Sequence, residues 1–225
     1  MQIQEIKRNP QTPELSQEAI ELLTKLCFRP DTQLEPVDLI FEFSSPREPD
    51  RVVQIIENLL KNNISRKVFV TGGMPDFVDS PKLGKSESEI LLEKIDLSKF
   101  PEVQFFSENK STNTLDNVTE ALKVLDFRNY EKVLFIFKRH DSMRAYLSLK
   151  KFLPNTKILQ QTFAGLYVGT DRPLDENTWH TYEFGKTRVW GEFLRIKKYG
   201  RRGDIFYDEK IDEIIKQIDK LTMNS

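Results

Sequence analysis

Short apolar runs alternate with amphipathic stretches from residue 37 to residue 162. Val37–Phe43 (VDLIFEF), Lys67–Thr71 (KVFVT), Val103–Phe106, Lys132–Phe137 (KVLFIF) and Lys157–Thr162 predict strands. Residues 48–62, 86–95, 114–126 and 141–152 predict the helices between them. Their apolar residues recur three and four apart, as Leu115, Val118, Leu122 and Leu125 do. Strands that alternate with helices build βαβ units and a mostly parallel sheet. The run VLFIF is apolar on both faces, as a strand covered on both sides must be. The expected fold is therefore α/β, a Rossmann-like three-layer sandwich around a mostly parallel sheet of about five strands.

The flanks follow other rules. Residues 1–13 read as a loose arm, and 14–28 as a helix with Leu15, Ala19, Leu22, Leu23 and Leu26 on one side. Arg29-Pro30 ends that helix, because the residue before a proline avoids the helical region. The expected organisation is an arm and helix over 1–30, then one α/β domain over 31–225 that includes C-terminal helices. Residues 163–183 read as a long loop and 185–199 as helical. Residues 208–222 read as a helix capped by Asp208 and striped by Ile211, Ile214, Ile215, Ile218 and Leu221.

Charge and composition remove several function classes. The 225 residues carry 34 Lys+Arg against 35 Asp+Glu, a formal net charge of -1, so there is no basic footprint for nucleic acid. One cysteine, Cys27, and two histidines, His140 and His180, leave no cysteine- or histidine-based metal cluster, and no metal is expected. No apolar stretch approaches the roughly 18 residues of a membrane span. The opening MQIQEIKRNPQTPELS has no apolar core of a secretory signal. A cytoplasmic protein without nucleic-acid or membrane partners is the expectation.

Ligands of open parallel sheets bind beyond the carboxyl ends of the strands, so the segments after each strand are the candidates. After the second strand, Gly72-Gly73 permits a sharp turn whose amides can cradle an anion. Ser86 opens the next helix in a capping-box pattern with Glu89, and Glu87 beside it is a candidate acceptor for a ribose or an amine. Glu108-Asn109-Lys110-Ser111-Thr112-Asn113-Thr114 and Asn117 follow the third strand. Asn113 or Thr114 suffices to cap the helix there, so the surplus of small polar residues reads as a ligand loop. Lys138, Arg139, His140 and Arg144 follow the fourth strand. Cations at a helix start are unfavourable without an anion, and His140 has the titration range of an acid or base.

In this order, VTGG at 70–73, Ser86-Glu87, ENKSTNTLDN at 108–117 and FKRHDSMRA at 137–145 resemble the YdcF-like family, a domain-of-unknown-function group that includes ElyC and SanA. Gly191-Glu192-Phe193-Leu194-Arg195-Ile196, Tyr199 and Gly203-Asp204 extend the resemblance, which covers residues 37 to 222. The resemblance implies a small-molecule-binding protein with S-adenosylmethionine or a related nucleotide as ligand, and transferase chemistry as its extension. In that reading Gly72, Gly73, Glu87, Glu108, Ser111, Thr112, Asn113, Thr114 and Asn117 contact the ligand. Lys138, Arg139 and Arg144 hold its carboxylate or phosphate. The alternative is a hydrolase acting on an anionic substrate, such as a phosphatase, with His140 as acid or base.

Overall fold

The apolar runs do form strands and the amphipathic stretches helices. In chain order they are α1 (Gln17–Cys27), β1 (Leu39–Glu42), α2 (Pro49–Lys61), β2 (Lys67–Val70), α3 (Glu87–Lys94), β3 (Gln104–Ser107) and α4 (Thr114–Val124). There follow β4 (Lys132–Lys138), α5 (Ser142–Phe152), β5 (Lys157–Phe163), α6 (Glu183–Arg202) and α7 (Glu209–Thr222). The structure is a computed structural model that describes residues 6–7, 9–43, 45, 47–74, 84–165, 167 and 172–223. It contains the expected Rossmann-like α/β fold, with a five-stranded parallel sheet and a helical C-terminal part.

The residues pack as two compact units. One comprises Asp31–Phe137 and Phe152–Phe163; the other comprises Met1–Pro30, Lys138–Lys151 and Ala164–Ser225. The first holds almost the whole sheet, in the order β3-β2-β1-β4-β5. Register sets Phe135, Phe41, Phe69 and Phe106 side by side across four strands, so one face of the sheet carries a row of aromatic rings. Phe41 and Phe69 stack at 5.8 Å between ring centres, and Phe69 and Phe106 at 6.3 Å. The opposite face presents Ile40, Val68, Val70, Leu134 and Ile136, which pack against Val52, Ile56 and Leu59 of α2 and Leu91 of α3. That alternation is the period-2 geometry of strands.

The second unit has its own core. Leu23 and Leu26 of α1, Leu147 of α5, Val189, Phe193 and Ile196 of α6, and Ile211, Ile215 and Ile218 of α7 meet in one buried cluster. Ser16 caps α1 by accepting from the Ala19 amide, and Asp208 caps α7 as its sequence position suggests. α6 is longer than the residues 185–199 read from sequence, and ends where Gly203 adopts φ 80°. The Asp204 amide bonds back to the Tyr199 carbonyl there, closing the helix end as a left-handed cap does. Within 163–183, read as loop, Gly165 bridges Leu174 and Trp179 lies fully buried in a 3-10 turn. The Trp179 indole N–H donates to Thr24 Oγ1 at 2.9 Å. A single buried tryptophan has no periodicity, so the pattern of apolar residues does not reveal such an anchor.

Candidate functional site

The chain builds β1, β2 and β3 outward in one direction, then crosses back to place β4 on the other side of β1. The strand order therefore reverses between β1 and β4, the position where open α/β sheets take ligands. Glu42 stands at that point. It is the last residue of β1, in register with Val70 and Ile136, and only 1% exposed. Its backbone carbonyl accepts from the Thr71 amide at 3.2 Å and the Thr71 hydroxyl at 2.9 Å. A carboxylate buried at the end of an otherwise apolar strand needs polar or charged partners to offset its desolvation. The apolar run VDLIFEF absorbs Glu42; the signal available is the one charged residue within the strand LIFE.

The Thr71-Gly72-Gly73 turn follows directly. The Gly72 amide donates to Glu108 Oε1 at 2.8 Å, and the Gly73 amide to the Ser111 carbonyl at 3.1 Å. The carbonyls of Gly73 and Gly72 accept from Glu87 and Ser88 at the start of α3. Both glycine amides, expected to face a ligand, thus serve the protein's own loops. Gly73 is required sterically, since a Cβ there would lie 2.4 Å from the Ser111 carbonyl oxygen. Gly72 is required conformationally, with φ 127°.

Glu108 has a comparable structural task. Oε1 also accepts from the Ser111 hydroxyl at 2.6 Å, and Oε2 from the Lys110 and Ser111 amides at 2.9 and 3.0 Å. The polar loop before α4 is likewise organised from within. Asn113 caps α4 through the Leu115 and Asp116 amides, while Asp116 Oδ2 accepts from the Thr112 hydroxyl and the Asn113 side-chain amide, each at 2.7 Å. Thr114 and Asn117 are buried in the first turns of α4. Ser86 and Glu89 form the expected capping box, and Glu87 is half-buried in the first turn of α3. Gly72, Gly73, Glu87, Glu108, Ser111, Thr112, Asn113, Thr114 and Asn117 belong to one unit, and Lys138, Arg139, His140 and Arg144 to the other.

In that other unit, His140 and Asp141 lie in a 3-10 turn that leads into α5, and both are buried. His140 Nε2 lies 2.9 Å from the Tyr167 hydroxyl and 3.3 Å from Asp141 Oδ1; Nδ1 has no hydrogen-bond partner among the described residues. Burial lowers the His140 pKa well below its ordinary value, and the positive charge of Arg188 adds to the effect, so the ring is neutral. Burial pushes the Tyr167 hydroxyl up, with Asp141 contributing. Burial also acts to raise Asp141, but Arg144, Lys138 and Arg188 prevail and its pKa is lowered.

The cations expected to hold an anion have carboxylates beside them already. Arg144 Nε donates to Glu192 Oε2 at 2.6 Å, and Arg195 donates to Glu192 Oε1 at 2.9 Å. Arg139 pairs with Glu176 at 3.3 Å, and Lys138 lies 3.9 Å from Asp141. Glu192, only 3% exposed in the middle of α6, thus joins two arginines. Arg188, one turn before it, was not read from the sequence as a site residue; a single arginine on an amphipathic helix ordinarily faces solvent.

No group of three or more potential metal ligands occurs among the described residues, and no described helix is long and apolar enough to cross a membrane. No protein-family model matches the chain, and no curated protein matches it.

Proposed function

We propose that the chain is a YdcF-like small-molecule-binding protein that takes S-adenosylmethionine or a related nucleotide beyond the carboxyl ends of β1 and β2. The observation that carries this reading is Glu42, a buried carboxylate at the reversal of strand order. An acidic residue there suits ribose hydroxyls or an amino group, the role such residues take in dinucleotide folds. Glu108 is placed to hold the loops around the site, since its oxygens accept four hydrogen bonds from the protein itself. Calorimetry of the purified chain with S-adenosylmethionine, adenosine and ATP tests the reading. At least one should bind, and Glu42→Gln should weaken it about tenfold or more while circular dichroism stays unchanged. A folded wild-type chain that binds none of them sinks the proposal.

The run Asp141–His140–Tyr167 favours a second reading, a hydrolase acting on an anionic substrate with His140 as acid or base. A phosphatase screen with His140→Gln and Tyr167→Phe tests it. Turnover that survives both changes removes this assignment.

A further inference from the structure

Arg188 on α6 is buried over most of its surface without being sealed from solvent. Its guanidinium carbon lies 5.0 Å from the centre of the Tyr167 ring and 5.9 Å from that of Phe184, and it interacts with the Tyr167 hydroxyl. No carboxylate among the described residues pairs with it, although two are near enough to act on its charge. Those two are engaged elsewhere: both oxygens of Glu192 with Arg144 and Arg195, and Asp141 with Arg144 and Lys138. Arg144 and Arg139 have their own carboxylates in Glu192 and Glu176, which distinguishes Arg188 from them. A guanidinium withdrawn from water is normally paired, because its desolvation is not recovered otherwise. Aromatic faces recover only part of that cost.

We infer that Arg188 is the anchor of an oxyanion subsite, recognising a phosphate or carboxylate group of a ligand through its planar fork of donors. The guanidinium geometry suits both groups bidentately. Tyr167 fixes the approach, since its ring carries the guanidinium and its hydroxyl is tied to His140. The other cations nearby each have a carboxylate within ion-pair distance and Arg188 has none among the described residues, so an arriving anion meets Arg188 rather than displacing Glu192. This inference asks only for an oxyanion and does not depend on the nucleotide reading.

The test is thermal unfolding of the full chain in inorganic phosphate and, separately, in malonate, against sodium chloride at matched ionic strength. One of the two oxyanions should raise Tm saturably by about 2–4 °C beyond chloride, and the better one tells a phosphoryl from a carboxylate ligand. Arg188→Gln should weaken that anion about tenfold or more, and Arg188→Lys should fall between, because it keeps charge without the fork. Wild-type crystals soaked in tungstate provide a readout that needs no variant, with an anomalous peak expected against the Arg188 guanidinium. The inference is overturned by the absence of any saturable rise, by an equal rise in Arg188→Gln, or by tungstate that avoids Arg188. Nucleotide binding that is lost in Glu42→Gln beside an unchanged response to the better oxyanion in Arg188→Gln would overturn this inference alone.

Discussion

The backbone N–H of Gly72 donates to Glu108 Oε1 across 2.8 Å, so the turn after β2 hangs from the loop after β3. The carboxylate that holds it is 6% exposed and accepts three further hydrogen bonds from Lys110 and Ser111. Glu108→Ala leaves these donors without their acceptor and should cost about 2–4 kcal/mol in urea unfolding. Glu108→Gln should cost less. Its carbonyl can keep the Lys110 and Ser111 amides, while its NH2 can donate to the Ser111 hydroxyl but opposes the Gly72 amide. Equal stability of the Ala variant and wild type would show that the clamp contributes nothing.

Gly73 makes the same junction sterically. Gly73→Ala drives a methyl to 2.4 Å from the Ser111 carbonyl oxygen, a backbone atom that cannot swing away. The 108–111 loop must shift, at about 1–3 kcal/mol. The Ser111 amide should then exchange its hydrogen faster than in wild type, read by hydrogen-exchange mass spectrometry. Unchanged protection at 110–111 would contradict the packing described.

Much of this junction is legible in the sequence. The strand-helix alternation located β2, the turn at Gly72 and the helix capped by Ser86, because those depend on local pattern and turn chemistry. The purpose of the polar residues was not legible. Ser111, Thr112 and Asn117 looked too numerous for capping, yet Ser111 is bound to Glu108, and Thr112 and Asn113 share Asp116. Those partners are set by how loops fold back, which spacing does not encode. Glu42 was hidden for the opposite reason: its strand is so apolar that one acidic residue reads as noise. Arg188 and Glu192 acquire their meaning only from the packing of α6, a helix that looks amphipathic yet buries Glu192 between two arginines and sets Arg188 against the Tyr167 ring.

Glu192 is the acceptor shared by Arg144 and Arg195. Its removal leaves Arg195 without its carboxylate and Arg144 with only the longer contact to Asp141, although the Glu192 contact is the larger of the two that hold the Arg144 pKa above its ordinary value despite burial. Glu192→Ala should therefore cost about 3–5 kcal/mol, because breaking a buried pair strands its partners. The double change Glu192→Met with Arg144→Met should recover part of the loss, since apolar replacement of a buried pair can be neutral. A double variant no more stable than the single one would argue against this coupling.

His140 gives a pH dependence with a definite sign. Its folded pKa lies well below the ordinary 6.5, through burial first and then the charge of Arg188, with Lys138 and Arg144 acting alike and Glu192 opposing. Above 6.5 the ring is neutral in both states and the fold keeps its full stability. As pH falls below 6.5 the unfolded chain takes up a proton that the folded chain refuses, so stability declines until the lowered folded pKa is reached. Asp141, whose pKa is depressed from 3.8, acts only at lower pH and does not mask this window. Urea unfolding from about pH 7.5 to about pH 5 should show stability decreasing in wild type and a flatter profile in His140→Gln. Parallel profiles in the two proteins would mean that the ring stays solvated, contrary to its burial between Tyr167 and Asp141.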